Sequence, residues 1–240
     1  MRRELRVLLA TVLFGAAWTW GGQLPRALED VEAFRVKNVE VHGLHFLSRA
    51  DVLEAMGITS QSSVWGDVDA WVEAVTDMPM VRFAKVERRV PDGLVVFVTE
   101  RRPVALVPTP TIEPVDMDGV LLPLDPAKHR LDLPLVEADP PPAEGSLLLP
   151  KRIRLLVGEV DRLMSVDTAF LQMVSEVRWG EGHTLVARWA QPDVEFLLPF
   201  GLSPERLQEG LEALGHAMSR PESEVPEIVD LRFADLVVVR

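Results

Sequence analysis

Residues 36–107 carry the pattern that most limits what this chain can become: an alternating run, two short helical patterns and a hairpin, in that order. In VKNVEVHG, residues 36–43, Val39 and Val41 alternate with Asn38, Glu40 and His42, the two-residue period of a half-buried strand. Ser48 stands where a helix over 49–56 needs its N-cap, with Asp51 in the first turn and Gly57 as the stop. Asp67 is placed to cap a second helix, whose Val68, Trp71, Val72 and Val75 share one face. Met78-Pro79 ends it, because the residue before a proline is pushed out of the helical region. Residues 81–90 and 94–99 then alternate like paired strands around Pro91-Asp92-Gly93, which is turn chemistry. The order β-α-α-β-β fits a small domain.

The 240 residues leave room for one large domain or two small ones, and 48% hydrophobic content supplies their cores. A net charge of −12 argues against nucleic-acid binding, which depends on Lys and Arg neutralising phosphates, and opposes docking along an anionic membrane surface. With no cysteine, disulfides, thiolate metal sites and cysteine nucleophiles are excluded.

The start of the chain reads as a membrane anchor. Residues 1–6 form a short cytoplasmic tail containing Arg2, Arg3 and Arg6, and residues 7–22 carry no charge. As a helix that stretch covers roughly 24 Å against a hydrocarbon core of about 30 Å. Snorkelling of Arg6 and extension to Leu24 close most of the gap and give an anchor over 7–24. Val7, Leu8, Leu9, Val12, Leu13 and Phe14 are its apolar body, and Trp18 and Trp20 fall at the level of the far aromatic belt. The upstream arginines place the N-terminus in the cytoplasm. A cleavable signal peptide is the rival reading, but no good small-residue cleavage site precedes the tryptophans, so the anchor is read as uncleaved. Either way the bulk of the chain is exported, and residues 25–35 connect it to the bilayer.

Beyond residue 103 the texture changes. Residues 104–107 and 112–124 read as short strands, with Asp118-Gly119 turning between Val115 and 120–122. The run DPPPAEGS at 139–146 is a loop by composition. Ile153, Leu156, Val157, Val160, Leu163 and Met164 describe one face of a helix. Three strand-like runs follow at 173–179, 184–189 and 194–199, and Ser203-Pro204 opens a helix with Leu207, Leu211, Leu214 and Met218 on its buried stripe. Two apolar runs, 227–232 and 236–240, close the chain around Phe233-Ala234-Asp235.

Catalytic and metal signatures are weak. His42 and His45 lie on a strand and its following turn, where that spacing sends the rings apart, and they read as structural or surface histidines. Asp116-x-Asp118-Gly119 resembles part of a calcium loop, yet alignment on Gly119 puts Pro114 in the first ligand position, so it reads as a hairpin turn. There is no nucleophile elbow, Walker sequence or dinucleotide fingerprint, and no carboxylate pair stands out, so no enzyme activity, cofactor or metal is expected. Leu236-Val237-Val238-Val239 is either an inner, doubly covered strand or an edge awaiting a partner; on residues alone the inner strand is favoured, because an exposed apolar edge invites aggregation.

Several segments resemble the FtsQ/DivIB family of bacterial cell-division proteins. FRVKNVEVHG at 34–43, MPMVRFAKVERR at 78–89, Pro91-Asp92-Gly93-Leu94 and TERRPVA at 99–105 are similar to its POTRA domain, with Met80 where the family often has tryptophan. VDMDGVLL at 115–122, the runs 174–179, 184–189 and 194–199, and IVDLRFADLVVVR at 228–240 resemble its β-domain. The resemblance implies an α+β protein: a single N-terminal transmembrane helix, a POTRA domain over 36–103, and a mixed β-sheet domain with flanking helices over 104–240. It further implies a non-enzymatic divisome scaffold of the cytoplasmic membrane, with its C-terminal domain outside and expected at the division septum. FtsB/DivIC-like and FtsL-like partners would bind the terminal edge of Phe233, Ala234, Asp235, Leu236, Val237, Val238 and Val239, and other division proteins the POTRA domain. That reverses the inner-strand preference for the last run. A POTRA-bearing transport or outer-membrane assembly factor is the alternative, although residues 104–240 cannot supply a large barrel and its loops.

Overall fold

The computed structural model describes residue 28 and residues 31–143, 145–220 and 226–240. The expected tail and anchor, with Val7, Leu8, Leu9, Val12, Leu13, Phe14, Trp18 and Trp20, lie outside the described residues. Among the described residues no helix is long and apolar enough to cross a membrane. The chain divides into two compact units, one up to Arg101 and one from Arg102.

In the first unit, β1 (Asn38–His42), α1 (Arg49–Met56), α2 (Val68–Thr76), β2 (Val81–Arg89) and β3 (Gly93–Glu100) follow one another in the chain. The sheet order is β1-β3-β2, with β1 parallel and β2 antiparallel to the central β3. Local chemistry fixes both helix starts. Ser48 accepts from the Asp51 amide while the Asp51 carboxylate accepts from the Ser48 amide, a complete capping box, and Asp67 accepts from the amides of Asp69 and Ala70. Gly57 ends α1 in the left-handed region at φ 62°. Val39, Leu94, Val96, Val98, Ala84 and Val86 on the strands share a core with Val52, Met56 and Val75 on the helices. Phe97, opposite both His42 and Lys85, lies on the other, exposed face. The carboxylate of Glu100 gathers the β1–α1 loop by accepting from the amides of His45, Phe46 and Leu47 at 2.9, 2.7 and 2.9 Å.

The second unit holds β4 (Pro103–Pro108), β5 (Ile112–Asp116), α3 (Pro126–His129), β6 (Leu135–Val136), α4 (Lys151–Val166), α5 (Thr168–Met173), β7 (Val174–Trp179), β8 (Thr184–Ala190), β9 (Asp193–Pro199), α6 (Pro204–Met218), β10 (Ile228–Asp230) and β11 (Val238–Val239). They form one eight-stranded sheet in the order β11-β10-β9-β8-β7-β6-β4-β5. Its direction is mixed: β9–β10, β6–β7 and β4–β6 are parallel, and the remaining pairs are antiparallel. Ile153, Leu156, Val157, Val160 and Leu163 of α4 and Leu207 and Leu214 of α6 are buried with Val177, Leu185, Ala187, Val194, Phe196, Leu198 and Val229 of the sheet.

Several boundaries differ from the sequence expectation, each for a local reason. Of the short strands expected over 112–124, the first is regular over Ile112–Asp116. The Asp116 carboxylate accepts from the amides of Asp118 at 3.1 Å and Val120 at 2.8 Å and builds the turn expected at Asp118-Gly119, and the return limb meets β5 only as an isolated Val115–Leu121 bridge. Met173 ends a helix instead of opening a strand. That helix, α5, is capped by Asp167, and its Phe170 packs edge-on against Phe196 with ring centroids 5.1 Å apart. Met218, expected on the buried stripe of α6, is exposed at the end of the helix. The closing runs 227–232 and 236–240 shrink to three and two strand residues because residues 232–237 turn away from the ladder after Leu231, whose amide still bonds the Leu197 carbonyl at 2.9 Å.

Candidate functional site

The last strand lies at the margin of the sheet. β11 has β10 on one side and, among the described residues, no strand on the other. The preference from residues alone for an inner strand is therefore corrected: Val237 and Val239 reach the margin of the core and are only half-buried, while Leu236 is 58% exposed. An apolar run is satisfied at this edge because alternate side chains rest on the core.

The register assigns a direction to each backbone group. Ile228 donates to the Arg240 carbonyl at 2.8 Å and Arg240 donates back to Ile228 at 3.0 Å, so these two residues form a hydrogen-bonded pair. The next pair, Val229 and Val239, is then a non-bonded one. The N–H and C=O of Val239 point to the open side, where an added strand would find them. Of the seven residues expected at the edge, only Val238 and Val239 are in the ladder; Phe233, Ala234 and Asp235 form a bend, and Leu236 and Val237 are unpaired in any strand. Phe233 is 51% exposed at that bend.

Two arginines shape the approach to the edge. Ser203 caps α6 by accepting from the Arg206 amide at 3.2 Å, which places the Arg206 side chain in the first turn, beside the bend. One guanidinium nitrogen of Arg206, Nη2, donates to the carbonyls of Phe233 at 2.5 Å and Leu236 at 2.6 Å, while Nη1 pairs with Glu209. Arg232 grips Asp230 with two bonds, Nε to Oδ1 at 2.8 Å and Nη2 to Oδ2 at 2.6 Å, and its guanidinium carbon lies 6.0 Å from the Phe233 ring centroid. The hydrogen bond from Arg232 holds the buried Asp230 carboxyl below its ordinary range, and the same bond raises the arginine. Behind them α6 approaches β10 closely: a Cβ on Gly210 would stand 2.7 Å from a methyl carbon of Leu231.

Arg206, Gly210 and the Asp230–Arg232 pair were not singled out from the sequence. The pair had a signal, since residues two apart on a strand project to the same face. Arg206 had none, because its acceptors lie 27 and 30 residues downstream. The two histidines weighed as metal ligands make separate aromatic contacts: His42 stacks on Phe97 with centroids 5.5 Å apart and His45 meets Phe46 edge-on at 4.7 Å.

The family model for the POTRA domain, FtsQ-type, matches residues 34–101, the first unit with its β-α-α-β-β order. The cell division protein FtsQ of Myxococcus fulvus is 32% identical over 186 residues, covering 73% of this chain and 63% of that protein. FtsQ of Novosphingobium aromaticivorans is 27% identical over 75% of this chain and 56% of its own length, and FtsQ of Geotalea daltonii is 23% identical over 100% of this chain and 88% of its own length. The chain belongs to the FtsQ/DivIB family. It spans about three fifths of the length of the first two of these FtsQ relatives. A solved extracytoplasmic domain of DivIB from Geobacillus stearothermophilus aligns with 46% of this chain and 87% of that domain, at 18% identity and a TM-score of 0.31. The family assignment rests on the sequence matches and not on that likeness.

Proposed function

We propose that this chain is a non-enzymatic scaffold of the divisome, tethered to the cytoplasmic membrane by residues 7–24, with its two units outside the cytoplasm at the septum. FtsB/DivIC-like and FtsL-like partners bind the edge at Phe233–Val239, and the POTRA unit over 36–103 meets other division proteins. The observation that carries this reading is the open side of β11, where the backbone N–H and C=O of the half-buried Val239 meet no other strand among the described residues. A partner strand added there gains affinity from backbone bonds and specificity from alternate side chains. Relatives named for cell division support the role at the septum.

The test is Val239→Pro in the full chain. Val238 pairs with Asp230 and its loss would disturb β10 as well, whereas proline at 239 removes an N–H that faces only the open side. The variant is expected to keep its thermal transition and to lose co-purification of the FtsB-like protein from the envelope. Undiminished co-purification rules out the edge as the binding site. A tagged chain spread evenly around the envelope instead of gathering at midcell favours the transport-factor alternative.

A further inference from the structure

We infer that Arg206 is a positioning residue for the terminal edge: by holding the carbonyls of Phe233 and Leu236, it sets the last strand in the shape that a partner strand joins. This rests on the edge reading above and adds to it a device that no partner contact would reveal.

β11 is a weak strand by itself. It shares two register pairs with β10, Val239 with Val229 and Val238 with Asp230, and a pairing that short is marginal without other support. The six residues before it, 232–237, leave the ladder. Arg206 closes that excursion. Its Nη2 bonds carbonyls three residues apart, at 2.5 and 2.6 Å, so one nitrogen pins both ends of the 233–236 bend immediately before Val237. Nη1 is held by Glu209, which fixes the plane of the fork, and the side chain is 14% exposed. The Ser203 cap fixes the base of the clamp, because its hydroxyl accepts from the Arg206 amide and sets the first turn of α6 beside the bend.

The choice of arginine at this place has a cost that stability alone does not explain. The Nε–H is buried and finds no acceptor among the described residues. A buried donor without an acceptor is unfavourable, and a lysine would not carry it. What arginine offers in exchange is a rigid planar fork that holds two carbonyls and a carboxylate at once. The consequence is preorganisation. With the bend fixed, a partner strand meets an edge whose ordering cost has already been met by folding. Phe233 gains from the same device: its backbone is held by Arg206 and its ring faces Arg232.

The experiment compares wild type, Arg206→Ala, Arg206→Lys and Val239→Pro as full chains in detergent. Amide hydrogen exchange is measured without a partner, and capture of the strand-donating partner is measured separately. In Arg206→Ala the amides of Val238 and Arg240 are expected to exchange faster, by on the order of tenfold or more for a few residues released from a fixed conformation, with β8 and β9 unchanged. Partner capture is expected to weaken by on the order of tenfold, with partial recovery in Arg206→Lys. Unchanged exchange in Arg206→Ala overturns the clamp. Faster exchange with undiminished capture, while Val239→Pro abolishes capture, overturns its part in recognition and leaves the edge reading standing. If Val239→Pro also captures normally, the edge reading fails and the recognition role falls with it, whereas the exchange result still decides the clamp. Should the alanine variant lose its thermal transition, the lysine variant carries the same comparison.

Discussion

Replacing Glu100 with alanine should loosen the first unit from one corner. Its carboxylate accepts from three successive amides, His45, Phe46 and Leu47, at 2.9, 2.7 and 2.9 Å, and it joins the end of β3 to the β1–α1 loop. A hydrogen bond to a charged group contributes about 1.5–3 kcal/mol when it is well buried. His45 is exposed and only Phe46 and Leu47 are half-buried, so water recovers part of what the alanine variant loses. The expected destabilisation is roughly 2–4 kcal/mol rather than the sum of three full bonds. Glu100→Gln keeps the size and one carbonyl acceptor, and should lose about half as much. Urea unfolding followed by amide exchange separates the two units, since the amides of β1, β3 and α1 report only on the first. Residues 45–47 should lose protection first, and the whole first unit should unfold at lower urea while β7–β9 hold their midpoint. A shift below about 0.5 kcal/mol in the alanine variant would show that the three bonds are replaced by water without cost and would refute the reasoning.

Three further outcomes follow from the packing and the charges. Gly43 has φ 87° and an added Cβ would lie 2.0 Å from the Val98 carbonyl oxygen, so Gly43→Ala should cost about 3 kcal/mol or more, read as loss of the first unit's urea transition. Gly210→Ala should gain up to about 1 kcal/mol of helix propensity but lose about 1–3 kcal/mol through collision with Leu231, leaving a net destabilisation and faster exchange in β10 and β11. Asp230 titrates below its ordinary value in the folded chain, chiefly through its bond to Arg232. Its contribution to stability is therefore complete above the unfolded carboxyl value of about 3.9 and is lost as pH falls through the lower folded value. Exchange at β10 and β11 should accelerate below roughly pH 4, and Asp230→Asn should remove that acid step.

What was readable in advance follows from how far each interaction reaches along the chain. Ser48 and Asp51, Asp67 and the amides two and three residues on, and Gly57 all act within one helical turn, so the two helices of the first unit stand where the residues put them. The alternation of β2 and β3 is likewise local, and β1 joins the same sheet because its apolar face matches theirs. The second unit is less legible in the sequence. β6 has two residues and no period to detect, and α5 has only six, too few to show a helical period, with its last residue, Met173, reading as the start of β7. At the terminal edge, the sequence placed an apolar run over 236–239 without saying which side of it would be covered.

The sequence by itself determined the local elements, the family and the apolar character of the last strand, since capping, alternation and turn chemistry act over a few residues. The tertiary structure alone decided that only Val238 and Val239 of the closing run join the margin of an eight-stranded sheet, that the backbone N–H and C=O of Val239 point to the open side, and that Arg206 holds the bend before it. The physical reason is that strand order and the reach of a side chain across 27 to 30 residues are set by packing of the whole unit, for which no local pattern stands proxy.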